Sequence, residues 1–201
     1  MAAFAGRAAC AVNEAVPSAL RRYAAFLRGV SPQNLSMPVL KACLERCGFS
    51  DVRTLLSSGN ATFTTRAPTQ EAALERKIEA ALKEDAGRPF MTFVRSVDAL
   101  NELLDSDPYA RFPPVPAAKR VVTFLRHAPA VAPKNALPLE REGARILCVR
   151  GAEAFGDYIP GPRGPVFMTL LERTFGKAIT TRTWETVRKS AADPPAKPPR
   201  R

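Results

Sequence analysis

Arg21-Arg22-Tyr23-Ala24-Ala25-Phe26-Leu27-Arg28-Gly29 opens the stretch that decides the fold. It reads as a buried strand that stops at Gly29. The loop that follows, Val30 to Ser36, carries the turn formers Pro32 and Asn34. Ser36 is a natural N-cap with Pro38 in the first helical turn. Val39, Leu40, Cys43, Leu44 and Cys47 then fall at helical spacing, and Gly48 stops the helix. Asp51 to Ser57 reads as a second strand and Ala61 to Thr65 as a third, rich in β-branched and aromatic residues. Between them Ser58-Gly59-Asn60 is a hairpin-turn signal. Pro68 to Asp85 predicts a helix with Ala72, Leu74, Ile78, Ala81 and Leu82 on its buried face, closed by Gly87. Phe90 to Arg95 is a fourth strand.

The order from residue 21 to residue 95 is therefore β-α-β-β-α-β, the split βαβ or ferredoxin-like unit. Two amphipathic helices cover one face of a four-stranded antiparallel sheet. Residues 96–118 read as a short helix from Ser96 to Asp105, then a Pro-rich connector that includes Phe112-Pro113-Pro114-Val115-Pro116. From residue 119 the order is roughly repeated with weaker helices. A strand, Arg120 to Arg126, leads into a Pro- and Ala-rich loop. Arg145 to Arg150 forms a hairpin with Ala154 to Ile159. A helix carries Phe167, Leu170, Leu171 and Thr174 on one face, a strand spans Ala178 to Arg182, and a last helix spans Trp184 to Ala191. No sequence repeat is evident. The expected class is α+β, with two ferredoxin-like (βαββαβ) subdomains, 21–95 and 119–190, each with an antiparallel sheet. A variable extension, 1–20, and a basic tail, 191–201, flank them and are expected to be disordered.

At 201 residues the chain is long enough to build a core without staples. No stretch approaches the roughly 20 apolar residues that span a bilayer, so no membrane partner is expected. The Ala-rich N-terminus lacks the compact apolar segment of a secretory signal. Cys10, Cys43, Cys47 and Cys148 have neither disulfide nor zinc spacing, and read as reduced core fillers in a cytoplasmic protein. The net charge of +11 is distributed as +5 over residues 21–95, −3 over 96–118, +7 over 119–190 and +2 over 191–201. A field of that sign attracts anions without choosing among them.

Four segments together resemble the bacterial family catalogued as domain of unknown function 1697. They are Tyr23 to Val30, Met37 to Phe49, Val52 to Asn60, and Thr180-Thr181-Arg182-Thr183-Trp184-Glu185-Thr186-Val187, and the likeness spans about residues 21–190. The resemblance implies an α+β fold of two ferredoxin-like subdomains and no established reaction. The family usually has a Gly-rich loop where this chain has Val30 to Leu35. It usually has Asn at the position of Thr183, and often at that of Glu185.

The leading constellation is polar: Arg28, Ser58, Asn60, Thr181 and Arg182, all at strand ends or turns. Two guanidiniums with hydroxyl and amide donors suit a phosphate or carboxylate. Gly29 and Gly59 let an anion approach backbone N–H groups. The blander reading pairs Arg28 and Arg182 with acids such as Asp51 or Glu185, and leaves Ser58-Gly59-Asn60 as a turn. Trp184 either stacks on a ligand ring or anchors the last helix. His127 reads as a surface loop residue, since no orienting partner is near in sequence. Glu71, Glu75 and Glu79 read as a solvated helix face. No nucleophile elbow, P-loop, dinucleotide or metal-ligand motif occurs, so neither a metal nor a cofactor is expected. The RNA-recognition signature is missing, with only Phe63, Phe90 and Phe93 as candidate stacking residues. Three functions stay open: a non-catalytic module binding an anionic ligand (a phosphate-bearing metabolite or nucleic acid), a metal-independent enzyme acting on a phosphorylated or carboxylated metabolite, and an assembly module that joins partners through sheet edges or the connector. The oligomeric state is left open.

Overall fold

The computed structural model describes residues 20–66, 70–129, 137–161 and 166–193. The first four strands are β1 (Arg21–Leu27), β2 (Ser50–Leu55), β3 (Asn60–Thr65) and β4 (Thr92–Ser96), interleaved with α1 (Met37–Arg46) and α2 (Glu71–Ala86). They form one antiparallel sheet in the order β2-β3-β1-β4, the ferredoxin-like order. Local chemistry sets these boundaries. The Ser36 hydroxyl accepts from the Val39 N–H with Pro38 in the first turn of α1, and Gly87 ends α2 in the left-handed conformation. The β2–β3 turn needs glycine at position 59, because φ is +73° there and a Cβ would lie 2.7 Å from Val30.

Along β1 the side chains alternate between two cores. Tyr23, Ala25 and Leu27 face α1 and α2 with Leu40, Leu44, Phe63, Leu74 and Ile78. Ala24 and Phe26, with Phe93 of β4, face a second sheet. That sheet is built from β5 (Lys119–Leu125), β6 (Leu139–Arg141), β7 (Ala144–Arg150), β8 (Glu153–Tyr158) and β9 (Ile179–Thr183), in the antiparallel order β6-β7-β8-β5-β9. Its Val122, Phe124, Leu147 and Phe155 complete the inter-sheet core, where Phe26 and Phe124 stack at 4.6 Å. Phe63 and Phe93 are both fully buried, so neither offers a stacking platform to a base. The helices that follow the two sheets, α3 (Val97–Asp105) and α5 (Trp184–Ala192), pack on each other beside this core. The remaining helix, α4 (Val166–Phe175), covers the outer face of the second sheet with Phe167, Leu170 and Leu171.

The second sheet keeps the ferredoxin-like order in β7-β8-β5-β9 and adds the short edge strand β6. Among the described residues no helix lies between β5 and β7, where the first half has α1. The last helix runs to Ala192 and Asp193 is tied down beyond it, so residues 191–193 are built into the fold rather than into a free tail. Residues 1–19 and 194–201, including Cys10, lie outside the described residues.

The two halves repeat one internal hydrogen-bonding pattern. The Leu27 N–H donates to Gly59 O and the Leu125 N–H to Ala152 O, each at 2.8 Å; the Arg28 N–H donates to Met91 O and the Arg126 N–H to Ala178 O. These equivalences align Arg22-Tyr23-Ala24-Ala25-Phe26-Leu27-Arg28 with Arg120-Val121-Val122-Thr123-Phe124-Leu125-Arg126. They also align Asn60 with Glu153, and Arg95 with Arg182. The equivalent residues Phe26 and Phe124 stack on each other across the shared core, so the halves meet as the two subunits of a symmetric dimer do, through the same surface patch on each.

Glu71, Glu75 and Glu79 are not a solvated face. They accept, respectively, from the N–H groups of Ser96 (2.9 Å), Val94 (3.0 Å) and Thr92 (2.8 Å) along the outer edge of β4. Four helical residues rise about 6 Å and two strand residues about 6.6 Å, so the i, i+4 ladder matches the edge N–H spacing. This covers an edge that would otherwise be open to strand pairing. Glu75 is buried and also takes Arg126 at 2.8 Å. Glu75→Ala is expected to destabilise the protein by about 3–5 kcal/mol in urea melts, because it strands Arg126 and the Val94 N–H.

Candidate functional site

Folding brings Arg28, Ser58, Gly59, Asn60 and Arg182 to one end of the inter-sheet seam. Arg182 leaves β9 toward the first sheet, with its guanidinium 5.7 Å from the Phe26 ring centroid. Its Nε donates to Asn60 Oδ1. Its Nη1 donates to Thr180 Oγ1 (2.9 Å) and Thr181 O (2.8 Å), and its Nη2 to Leu27 O (2.6 Å), Ser58 O (3.2 Å) and Gly59 O (3.4 Å). An arginine has five N–H donors, and these acceptors engage all of them. Among the described residues no carboxylate pairs with Arg182, and burial pushes its pKa down to about 10, so it remains charged at neutral pH.

Arg28 bonds across the seam to Ile179 O (2.6 Å) and to Glu172 of α4 (2.5 Å). The acids named in sequence go elsewhere: Asp51 to Arg22, and Glu185 to Arg188 and Lys189. The Thr181 hydroxyl shares a hydrogen bond with Thr123 (2.9 Å), so it is not part of the arginine network through its side chain. Asn60 is fully buried and donates to Leu55 O and Ser58 Oγ. Gly29 has φ +71° and open space around it. Trp184 is apart from this cluster: it packs edge-on to Tyr109, 5.1 Å away, against the inter-sheet core. The arginines of this group act as fasteners between the sheets.

The opposite end of the seam holds the counterpart set. Arg95 lies over Phe124, donates to Glu153 (2.6 Å) and to Leu125 O (3.3 Å), and approaches Glu71 and Glu75. Arg126 bonds Glu75 and Glu79 of α2. Burial raises the Glu71 carboxyl above its ordinary value against the opposing pull of Arg95 and the Ser96 N–H. His127 is exposed at the rim of this polar recess. Buried Cys43 is pushed up to about 11 by burial and by Cys47, so it stays a thiol at neutral pH; Cys43, Cys47 and Cys148 are free.

A large cavity lies elsewhere, on the outer face of the second sheet. It has a volume of about 720 Å³, and its described lining includes Val121, Ala144, Tyr158, Ile159, Phe167 and Met168. Tyr158 and Phe167 stack at 5.3 Å along its wall. On the first sheet the corresponding strands, β1 and β4, are covered by α2 through Leu74 and Ile78, whereas α4 packs on β6 and β7. Thr181 and Arg182 also border the cleft, while the guanidinium is committed to the seam. The sequence did not single out its apolar lining.

Among the described residues no group of acidic, His or Cys side chains has metal-ligand geometry, and no helix is long and apolar enough to cross a membrane. A family model described as protein of unknown function (DUF1697) matches residues 20–155. A solved structure, that of conserved bacterial protein SP0830 from Streptococcus pneumoniae, is similar with a TM-score of 0.61 at 18% identity, covering 86% of this chain and 98% of that one. That likeness is one of fold. No curated protein matches the chain.

Arg182→Lys keeps the charge but loses the planar fork and leaves buried carbonyls short of donors. It is expected to cost about 3 kcal/mol in urea melts. Asp193 sits at the end of α5 and accepts from Thr62 and, at 2.5 Å, from Arg22. Burial alone would raise its carboxyl, but those hydrogen bonds and the Arg22 and Arg53 charges hold it below the ordinary value. Its contribution is therefore present above the ordinary carboxylate range and is lost as pH falls through it. Asp193→Asn is expected to cost about 2 kcal/mol at pH 7, with the gap to wild type closing in melts at acid pH.

Proposed function

The chain belongs to the DUF1697 family, and we propose that it is a non-catalytic module binding a small, largely apolar ligand in the cleft on the outer face of its second sheet. One observation carries this reading: the concavity of about 720 Å³ lies beside β5 and β9, whose counterparts in the first sheet, β1 and β4, are covered by α2. Its size lies within the range of ligand pockets, and apolar walls with a few polar groups are their usual lining. The described lining offers Tyr158 and the threonines as hydrogen-bonding groups, Glu142 as its one carboxylate, and no Cys, His or Lys. That set supports binding over acid–base or nucleophilic chemistry. The free thiols support action in the cytoplasm.

A second reading keeps the anionic ligand, a phosphate-bearing metabolite or nucleic acid, at the Arg28 end of the seam. Arg28 pairs there with Glu172 and Arg182 lies alongside, and the Arg28 side chain retains 28% exposure.

Ligand-observed NMR and thermal shift with single-ring aromatic and branched aliphatic compounds test the first reading. Hits are expected to raise the melting temperature. Ile159→Asp, at a rim residue 47% exposed, should weaken them at least about tenfold, or about 1.4 kcal/mol. Arg28→Ala should leave them unchanged. An absence of hits, or hits indifferent to Ile159→Asp, overturns the cleft. Binding of inorganic phosphate or a short oligonucleotide that is lost in Arg28→Ala selects the second reading instead.

A further inference from the structure

The inner faces of the two sheets form an interaction surface that is complementary to itself, and the contacts across it run in both directions. Arg95 reaches from β4 to Glu153 and Leu125 O of the second sheet; Arg182 reaches from β9 to Asn60 and Leu27 O of the first. Arg95 lies over Phe124 and Arg182 over Phe26, the two rings that stack at the centre. Arg28 bonds α4 on the far side, and Arg126 bonds α2.

The segments after α3 and α5 cross over as well. Beyond α3, Tyr109 donates its hydroxyl to Val121 O of β5 at 2.7 Å. Beyond α5, Asp193 ties to Arg22, Arg53 and Thr62 of the first sheet. By contrast, the covalent link contributes little order of its own between Pro113 and Lys119. Pro113, Pro114, Pro116 and Ala117 are exposed there, and the one internal backbone hydrogen bond runs from Ala118 to Val115 at 3.2 Å.

We propose that the chain is a tethered dimer of two like units: the inner face of each unit is a protein-binding surface whose partner is the other unit, and the connector is dispensable once they have met. The favourable term is the buried aromatic and aliphatic core, and the crossed arginines fix the partner and its angle. This assembly is independent of what the outer cleft binds.

The test uses the full chain with a protease site inserted between Pro116 and Ala117. After cleavage, the two fragments should elute together at the mass of the intact protein at 1 µM, about the concentration at which a micromolar complex is half dissociated. The circular dichroism spectrum should be unchanged. Separation into two species, or loss of structure on cleavage, overturns the proposal. Arg126→Gln in the cleaved protein should weaken reassociation at least about tenfold, since Glu75 and Glu79 lose their cross-seam partner. Arg141→Gln, which pairs with the exposed Glu142, should not. Equal affinities for the two variants would overturn the role given to the crossed arginines.

Discussion

A charged guanidinium buried against the carbonyls of a neighbouring sheet is the constraint on which this architecture turns. Arg182 reads Leu27, Ser58 and Gly59 by their backbone oxygens, and Arg95 reads Leu125 in the same way from the other side. The apolar contact between the sheets is non-directional and would tolerate a range of packing angles. Planar forks do not, because their donors must meet oxygens on two different sheets at once. Desolvating the charge is unfavourable, and among the described residues Arg182 has no carboxylate to offset it. What offsets it is the full use of its donors. Such a residue does more to define the arrangement of the sheets than to deepen their net stability.

The first half was legible in sequence because each boundary has a local chemical cause: a Ser cap, a Gly stop, a Gly-Asn turn. The convergence of Arg28, Asn60 and Arg182 was legible too, as strand-end residues of one fold. Their engagement was not. Backbone carbonyls leave no side-chain signature, so nothing in the residues announced that a site built of donors would find its acceptors inside the protein. The ladder Glu71, Glu75 and Glu79 shows the same limit. Its period places three carboxylates on one helical face, but whether that face meets water or the edge of β4 is decided by the sheet. The internal repeat was hidden for a different reason. Only a Phe-Leu-Arg and scattered positions survive between β1 and β5, and pairing registers rather than identity align them.

The interest of the near-symmetry lies in where it fails. Asn60 stands opposite Glu153, so one guanidinium has an amide for its main partner and the other a carboxylate. In the first half α2 lies along β4; in the second, α4 lies on β6 and β7, and the counterpart of β4, β9, borders a cleft walled by Tyr158 and Phe167. Gly156 contributes to that surface, since a Cβ there would meet the Arg145 carbonyl at 2.3 Å and the Phe167 ring at 3.2 Å. A bare strand lets the Phe167 ring settle low on the sheet. Symmetric parts answer to the shared task of holding the halves together, whereas the differences are free to serve anything else.

The basic composition deserves the same scrutiny. A net charge of +11 invites a reading in terms of anionic partners. Yet Arg22, Arg28, Arg95, Arg126, Arg145 and Arg182 are consumed within the fold by carboxylates and carbonyls. The seam itself is polarised. At one end, among the described residues, Glu172 pairs with Arg28 and no carboxylate pairs with Arg182; at the other Arg95 and Arg126 face Glu71, Glu75, Glu79 and Glu153. Positive charge is therefore locally in excess where the sheets are fastened through an amide, and locally in deficit where they are fastened through carboxylates. A field of this kind steers an approaching anion toward the first end. It does not hold one there unless donors remain free, and on Arg182 none do.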